Sequence, residues 1–270
     1  MIDGILQRAP VFLLMYVRCL AMLMTLPLFS MRTVSRTAKI ALAGYMTFIL
    51  LPSVDFSAYT PYIAGDGAFT LEFVLLAAGE GLIGVIIGFF VTLIFAAFST
   101  AGQFFAFQMG FSASEVYDSL SQVENPLMGQ FLNLVAMLVF MQNRWFQRLF
   151  AGVLASSYAS LNAVSLVESR SRIVRFLVSG LTGLFADALV ISLPIIGTLL
   201  MISICTGLLS KAAPQMNLLS EGFPVMILVS FLLVMWLMPS LCDFFIRSFS
   251  RGFSELHNLF MTLRGGAGGG

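Results

Sequence analysis

Hydrophobic positions along this chain gather into long apolar blocks divided by short polar or basic turns. Residues 9–31 form the first block, long enough as one helix to span about 30 Å of hydrocarbon. Arg18 sits at its middle, where a cation is costly and is expected to pair inside a bundle. Pro27 is placed to bend or end this helix. A basic turn, Arg32, Arg36 and Lys39, precedes an apolar run at 40–51 that Pro52 closes. At about twelve residues this run is short for a span. A polar connection at 53–70 leads into the longest block, 71–100, with Gly79, Gly81, Gly84 and Gly88. Gly84 and Gly88 stand at a spacing that lets two membrane helices approach closely. Glu80 lies in the same block. It reads either as a functional acid or as the partner of Arg18 or of another subunit.

In the second half, Pro126 opens a helix over 127–141, interrupted at Asn143, Arg144 and Arg148 and resumed at 150–158. Glu168, Arg170, Arg172 and Arg175 lead into an apolar block at 176–209, which Asp187 and Pro194 break. A turn-rich loop at 211–223 and a further span at 224–245 follow, with Pro239 near the span's end. In 247–263, Phe249, Phe253, Leu256 and Phe260 fall at helical spacing, with Arg251, Glu255 and Asn258 on other faces, so this segment is expected to be an amphipathic helix. The Gly-rich residues 265–270 read as a flexible or added tail.

Between the two halves lies 103–126, which begins aromatic with Phe104, Phe105, Phe107 and Phe111, passes Gln108, Met109 and Gly110, and ends polar and acidic. Irregular backbone at membrane depth is tolerated where it is buried in protein or lines a watery cavity. The stretch therefore reads as the constriction of a path. The plainer reading is an interfacial loop whose Phe rings sit at headgroup level.

Composition narrows the class. Of 270 residues 59% are hydrophobic and 10% charged, against about 25% charged in an average soluble domain. The chain is expected to be membrane-embedded, or the core of an oily assembly. Arg8 ahead of the first block resembles the start of a signal peptide. The block is long, however, and residues 26–30 offer no small-residue cleavage site, so a retained first helix is expected. A net charge of +1 implies no nucleic-acid footprint. Cys19, Cys205 and Cys242 stand singly in apolar runs, which suggests neither disulfides nor a metal site. His257 is the single histidine; no catalytic triad, metal spacing, phosphate loop or dinucleotide motif forms around it. No cofactor is expected and an enzyme is disfavoured. A channel subunit and a secondary transporter coupled through Glu80 and Asp187 remain. The halves show no clear internal repeat of the transporter kind, which favours the channel.

Three motifs go further. GlnMetGlyPheSer at 108–112 follows a Gly-rich apolar helix. Pro214, Gln215, Met216 and Asn217 follow a kinked one, and Gly222, Phe223 and Pro224 come shortly after. In that order the chain, to about residue 263, resembles the FliR family of flagellar type III export-gate proteins, with SctT-like injectisome relatives close by. One departure is Gln142-Asn143-Arg144-Trp145, where flagellar members often carry a Gly-His-His-like turn.

The resemblance implies an all-α fold of kinked hydrophobic helices and helical hairpins in a helical multi-subunit assembly. Residues 1–175 would be FliP-like, with a plug at about 103–126, and residues 176–264 would be a FliQ-like hairpin with the amphipathic tail. The implied partners are FliP-like and FliQ-like subunits, a larger FlhB-like gate protein and unfolded export substrates, at the flagellar basal body in the bacterial inner membrane. Phe104, Phe105, Phe107, Gln108, Met109, Gly110 and Phe111 would form the plug. Pro214–Asn217 with Gly222, Phe223 and Pro224 would line the cytoplasmic mouth. Gly81, Gly84 and Gly88 would pack helices, and Arg18, Glu80 and Asp187 would be buried charges.

Overall fold

A computed structural model describes residues 2–30, 34–54, 70–109, 127–212 and 218–266. The helices are α1 (Ile2–Thr25), α2 (Pro27–Ser30), α3 (Arg36–Leu50, closed by a tight turn at Leu51–Ser53), α4 (Leu71–Gln108), α5 (Leu127–Gln142), α6 (Trp145–Arg148), α7 (Ala155–Ser160), α8 (Ala163–Glu168), α9 (Arg170–Ala212) and α10 (Leu218–Gly266). A wider π-helical segment, Leu149–Leu154, joins α6 to α7. No strand occurs among the described residues, and the fold is all-α.

The first block divides at the proline, as expected: α1 stops at Thr25 and Pro27 opens α2, where a first-turn proline loses no intrahelical bond. Its apolar part, Ala9–Thr25, is accordingly one of the shorter apolar helices. Several other boundaries differ from the sequence expectation. α4 runs past the expected end at residue 100 to Gln108, so the aromatic start of 103–126 is regular helix. α9 continues through Asp187 and Pro194, and α10 through Pro224, Pro239 and the expected tail. Prolines are tolerated inside membrane-type helices, where neighbouring groups satisfy the backbone they free. Among the described residues three helices are long and apolar enough to cross a membrane: Leu71–Gln108, Arg170–Leu209 and Pro224–Leu263.

The contacts divide into two compact units that interleave along the sequence. The first takes residues 1–93, 144–180 and 250–270. Its core includes Met15, Cys19, Met22 and Leu23 of α1 and Ile83 and Ile87 of α4, all fully buried. The amphipathic reading of the C-terminal segment holds here. Phe253, Leu256 and Phe260 are buried, whereas Arg251, Glu255 and Asn258 are exposed. Phe253 stacks on Trp145, with ring centroids 4.9 Å apart, and the Arg148 guanidinium lies 4.7 Å from the centre of the same indole. Just after α5, in the second unit, Asn143 donates both its backbone N–H and its side-chain amide to the Val139 carbonyl, at 3.1 and 2.9 Å. Arg144 then takes a left-handed conformation, φ 54° and ψ 31°.

The second unit takes residues 94–143 and 181–249. Phenylalanines build its core. Phe98 meets Phe245 at 4.0 Å, and Phe249 meets Phe95 at 4.9 Å and Phe140 at 5.3 Å. Tilted and edge-on pairs of this kind contribute about 0.5–1.5 kcal/mol each beyond area burial. α4 and α5 touch backbone to backbone, since a methyl group on Gly102 would stand 2.6 Å from the Gly129 Cα. Away from these contacts many apolar side chains of α9 and α10, such as Leu193, Met201, Leu228 and Trp236, are exposed.

Candidate functional site

The two expected intramembrane charges of the first half meet each other. Arg18 of α1 and Glu80 of α4 are 0% and 1% exposed. The Arg18 Nε donates to Glu80 Oε2 at 2.6 Å, and Nη2 lies 2.5 Å from the same oxygen. Desolvating two ions costs several kcal/mol each, so such a pair persists only where its remaining donors and acceptors are also satisfied. They are satisfied by a break in the chain. Nη1 donates to Ser157 Oγ at 3.0 Å and Nη2 to the Leu161 carbonyl at 2.8 Å. Glu80 Oε1 accepts from the Ala163 N–H at 3.2 Å. The guanidinium also lies 4.3 Å from the centre of the Tyr158 ring, and Tyr158 Oη donates to the Met15 carbonyl at 2.8 Å.

The break is local in origin. α7 ends where Leu161 turns extended, φ −142° and ψ 122°. Asn162 starts α8 with a capping box: its Oδ1 accepts from Ser165 N at 2.7 Å, and its own N–H donates to Ser165 Oγ at 3.0 Å. A helix break away from water leaves backbone groups without helical partners, and each such buried group costs free energy. Arg18 takes the Leu161 carbonyl and Glu80 takes the Ala163 N–H. The ion pair thus ties α1 and α4 to the α7–α8 junction.

Glycines set the distance at which this happens. A side chain on Gly84 would collide with the Arg18 carbonyl oxygen, and one on Gly88 with Thr25 Oγ1, so α4 lies against the backbone of α1. Gly81 sits more loosely, its added methyl 3.2 Å from Val17 Cγ1. Thr92 Oγ1 donates to the Thr25 carbonyl at 2.8 Å and continues the seam.

Asp187 differs from the expectation of a buried charge. It is half-buried, belongs to the second unit, and accepts from Ser248 Oγ at 3.1 Å. At the end of α4, Phe105 and Met109 are fully buried and share one helical face, the Met109 N–H donating to the Phe105 carbonyl at 2.9 Å. Phe107 is 72% exposed, and Phe104 and Gln108 are intermediate. Gly110 and Phe111 lie outside the described residues, as do Pro214, Gln215, Met216 and Asn217. Gly222, Phe223 and Pro224 lie within α10.

Ser157, Tyr158, Leu161 and Ala163 complete the site and were not expected from the sequence. The polar run at 155–162 inside an apolar half was the available signal. Among the described residues no cluster of metal-ligating side chains occurs.

Comparison with known proteins agrees with this architecture. The model of the family described as bacterial export proteins, family 1, matches residues 9–252. The flagellar biosynthetic protein FliR of Bacillus subtilis (strain 168) is 28% identical over 258 residues, covering 95% of this chain and 97% of its own length. FliR of Escherichia coli (strain K12) is 29% identical over 247 residues, 91% of each chain. The surface presentation of antigens protein SpaR of Shigella sonnei is 27% identical over 159 residues, 57% of this chain and 59% of its own. The chain therefore belongs to the bacterial export proteins, family 1, in its FliR branch, and is a component of an export apparatus and not an enzyme.

Proposed function

We propose that this chain is a structural subunit of the flagellar type III export gate in the bacterial inner membrane, forming the entrance pore for unfolded export substrates. In this reading residues 1–175 form a FliP-like part and 176–264 a FliQ-like hairpin, assembled with FliP-like and FliQ-like subunits against a larger FlhB-like protein. The segment 103–126 is the plug, and the loop carrying Pro214–Asn217 faces the cytoplasmic mouth. The similarity to FliR over nearly the whole length favours the flagellar apparatus over the injectisome one, to which the SpaR match covers little more than half the chain. A secondary transporter coupled through Glu80 is disfavoured, because both oxygens of that carboxylate are engaged by Arg18 and Ala163.

The observation that supports the plug is the contact of Gly102 with Gly129. It holds the last turns of α4 and the start of α5, the two helices that flank 110–126, at one crossing. Phe105 and Met109, near the same end of α4, supply buried apolar surface, and the methionine thioether is deformable. Each such side chain contributes about 1.5–3 kcal/mol when fully buried. A few of them bias a closed state, yet an arriving polypeptide can displace them singly. Deleting part of 110–122, or replacing Met109 and Phe111 by Ser, is therefore expected to leave the complex assembled and the membrane leaky. Conductance of bilayers carrying the complex measures this. A normally assembled deletion with an unchanged, tight membrane would reduce 103–126 to an interfacial loop.

A further inference from the structure

The first turns of α3 carry a cation, Lys39, that no side chain among the described residues pairs with. Lys39 is only 7% exposed, on the packed face of α3 with Ala43, Thr47 and Leu50. Its ammonium makes no hydrogen bond or ion pair among the described residues. No Asp or Glu occurs between residues 4 and 54, so this part of the chain carries no acid to offer. The position adds to the problem. Arg36 opens the same helix, and the N–H end of a helix carries partial positive charge. Ser35 Oγ accepts from the Ala38 N–H at 3.2 Å, and no acidic residue stands in the first turn. Helical side chains lean toward the helix N-terminus, so the stem of Lys39 lies buried while its head is carried toward that turn. An anion there would meet the ammonium, the exposed Arg36 guanidinium and unpaired N–H groups together.

The rest of α3 indicates which anion. Its outer face is apolar: Ile40, Tyr45, Phe48 and Ile49 are all between 47% and 68% exposed. The fitting occupant has a phosphate at one end and hydrocarbon along its length. We propose that the first turn of α3 binds the phosphate of an anionic phospholipid, with Lys39 and Arg36 as its cationic contacts and the outer face of α3 along its acyl chains.

The test is native mass spectrometry of the full chain, extracted with whatever subunits accompany it, after adding phosphatidylglycerol, phosphatidylcholine or inorganic phosphate. Phosphatidylglycerol is expected to be retained about fivefold better than phosphatidylcholine, the factor matching ~1 kcal/mol for one cation near an anionic surface. Lys39→Gln should lower the preference clearly, Arg36 still contributing, and Lys39→Arg should keep it. Should Lys39→Gln fold poorly, Arg36→Gln, at an exposed position, is expected to lower the preference in the same direction. Equal retention of both lipids would overturn the proposal, as would a preference that neither Gln variant changes. Displacement of the lipid by inorganic phosphate would make this a free-anion site. A preference lost whenever other subunits are bound would assign the cation to a protein acid.

Discussion

Glu80→Gln is expected to destabilise the first unit by about 3–5 kcal/mol, the usual cost of leaving one member of a buried ion pair without the other. The amide oxygen can still accept from Ala163, and Arg18 keeps Ser157 and Leu161, so nearly all of the loss is uncompensated charge. Arg18→Met should cost at least as much, because it strands the carboxylate and also strips the Leu161 carbonyl of its donor. The informative variant is the double replacement Arg18→Met/Glu80→Leu. In an ordinary core, exchanging a buried pair for apolar side chains is often neutral or stabilising. Here the double variant takes the Arg18 donor from the Leu161 carbonyl and the Glu80 acceptor from the Ala163 N–H at a helix break, at about 1–3 kcal/mol each. It is therefore expected to remain about 2–6 kcal/mol below the parent, from those same two groups. Pulse proteolysis across a urea series in detergent gives the differences. A double variant within ~1 kcal/mol of the parent would refute the idea that the pair exists to satisfy the break.

Gly84→Ala should lower stability by about 1–3 kcal/mol, since its methyl group would meet the Arg18 carbonyl. Gly183→Ala, with open space around it, should gain up to about 1 kcal/mol from helix propensity. Equal shifts of the two thermal midpoints would contradict the close α1–α4 packing. Arg144→Gly should relieve about 1 kcal/mol of left-handed strain, read against Arg144→Ala, which keeps the strain. If the two variants unfold at the same temperature, the strain is not there.

What was legible in the sequence was what is costly in a membrane. Arg18 and Glu80 stand out because an intramembrane charge demands a partner, and each is the other's partner. Gly84 and Gly88 stand out by spacing, and the seam they form is real. The backbone half of the same site was not legible. Which carbonyl and which N–H lose their helical partners depends on where the chain breaks. The break at Leu161–Asn162 contains neither Pro nor Gly, only an Asn three residues before a Ser.

Prolines bear on the boundaries in the opposite direction. Pro194 reads as a break in its apolar block, Pro224 as the start of a span and Pro239 as a residue near that span's end, yet α9 and α10 pass through all three. A proline removes one hydrogen bond and costs about 3 kcal/mol in a helix interior. That is decisive for a short helix in water, where a coil is an easy alternative. In apolar surroundings the alternative is a stretch of unpaired backbone, at several kcal/mol for each exposed group, so the helix persists. The same comparison explains the π-helical and broken region at 149–163. At Leu161–Asn162 the chain leaves the helix where the Arg18 guanidinium and the Glu80 carboxylate take up the released Leu161 carbonyl and Ala163 N–H. At the α7–α8 junction the helix is given up where side chains replace its hydrogen bonds, and at Pro194, Pro224 and Pro239 it is kept although the sequence carries a breaker.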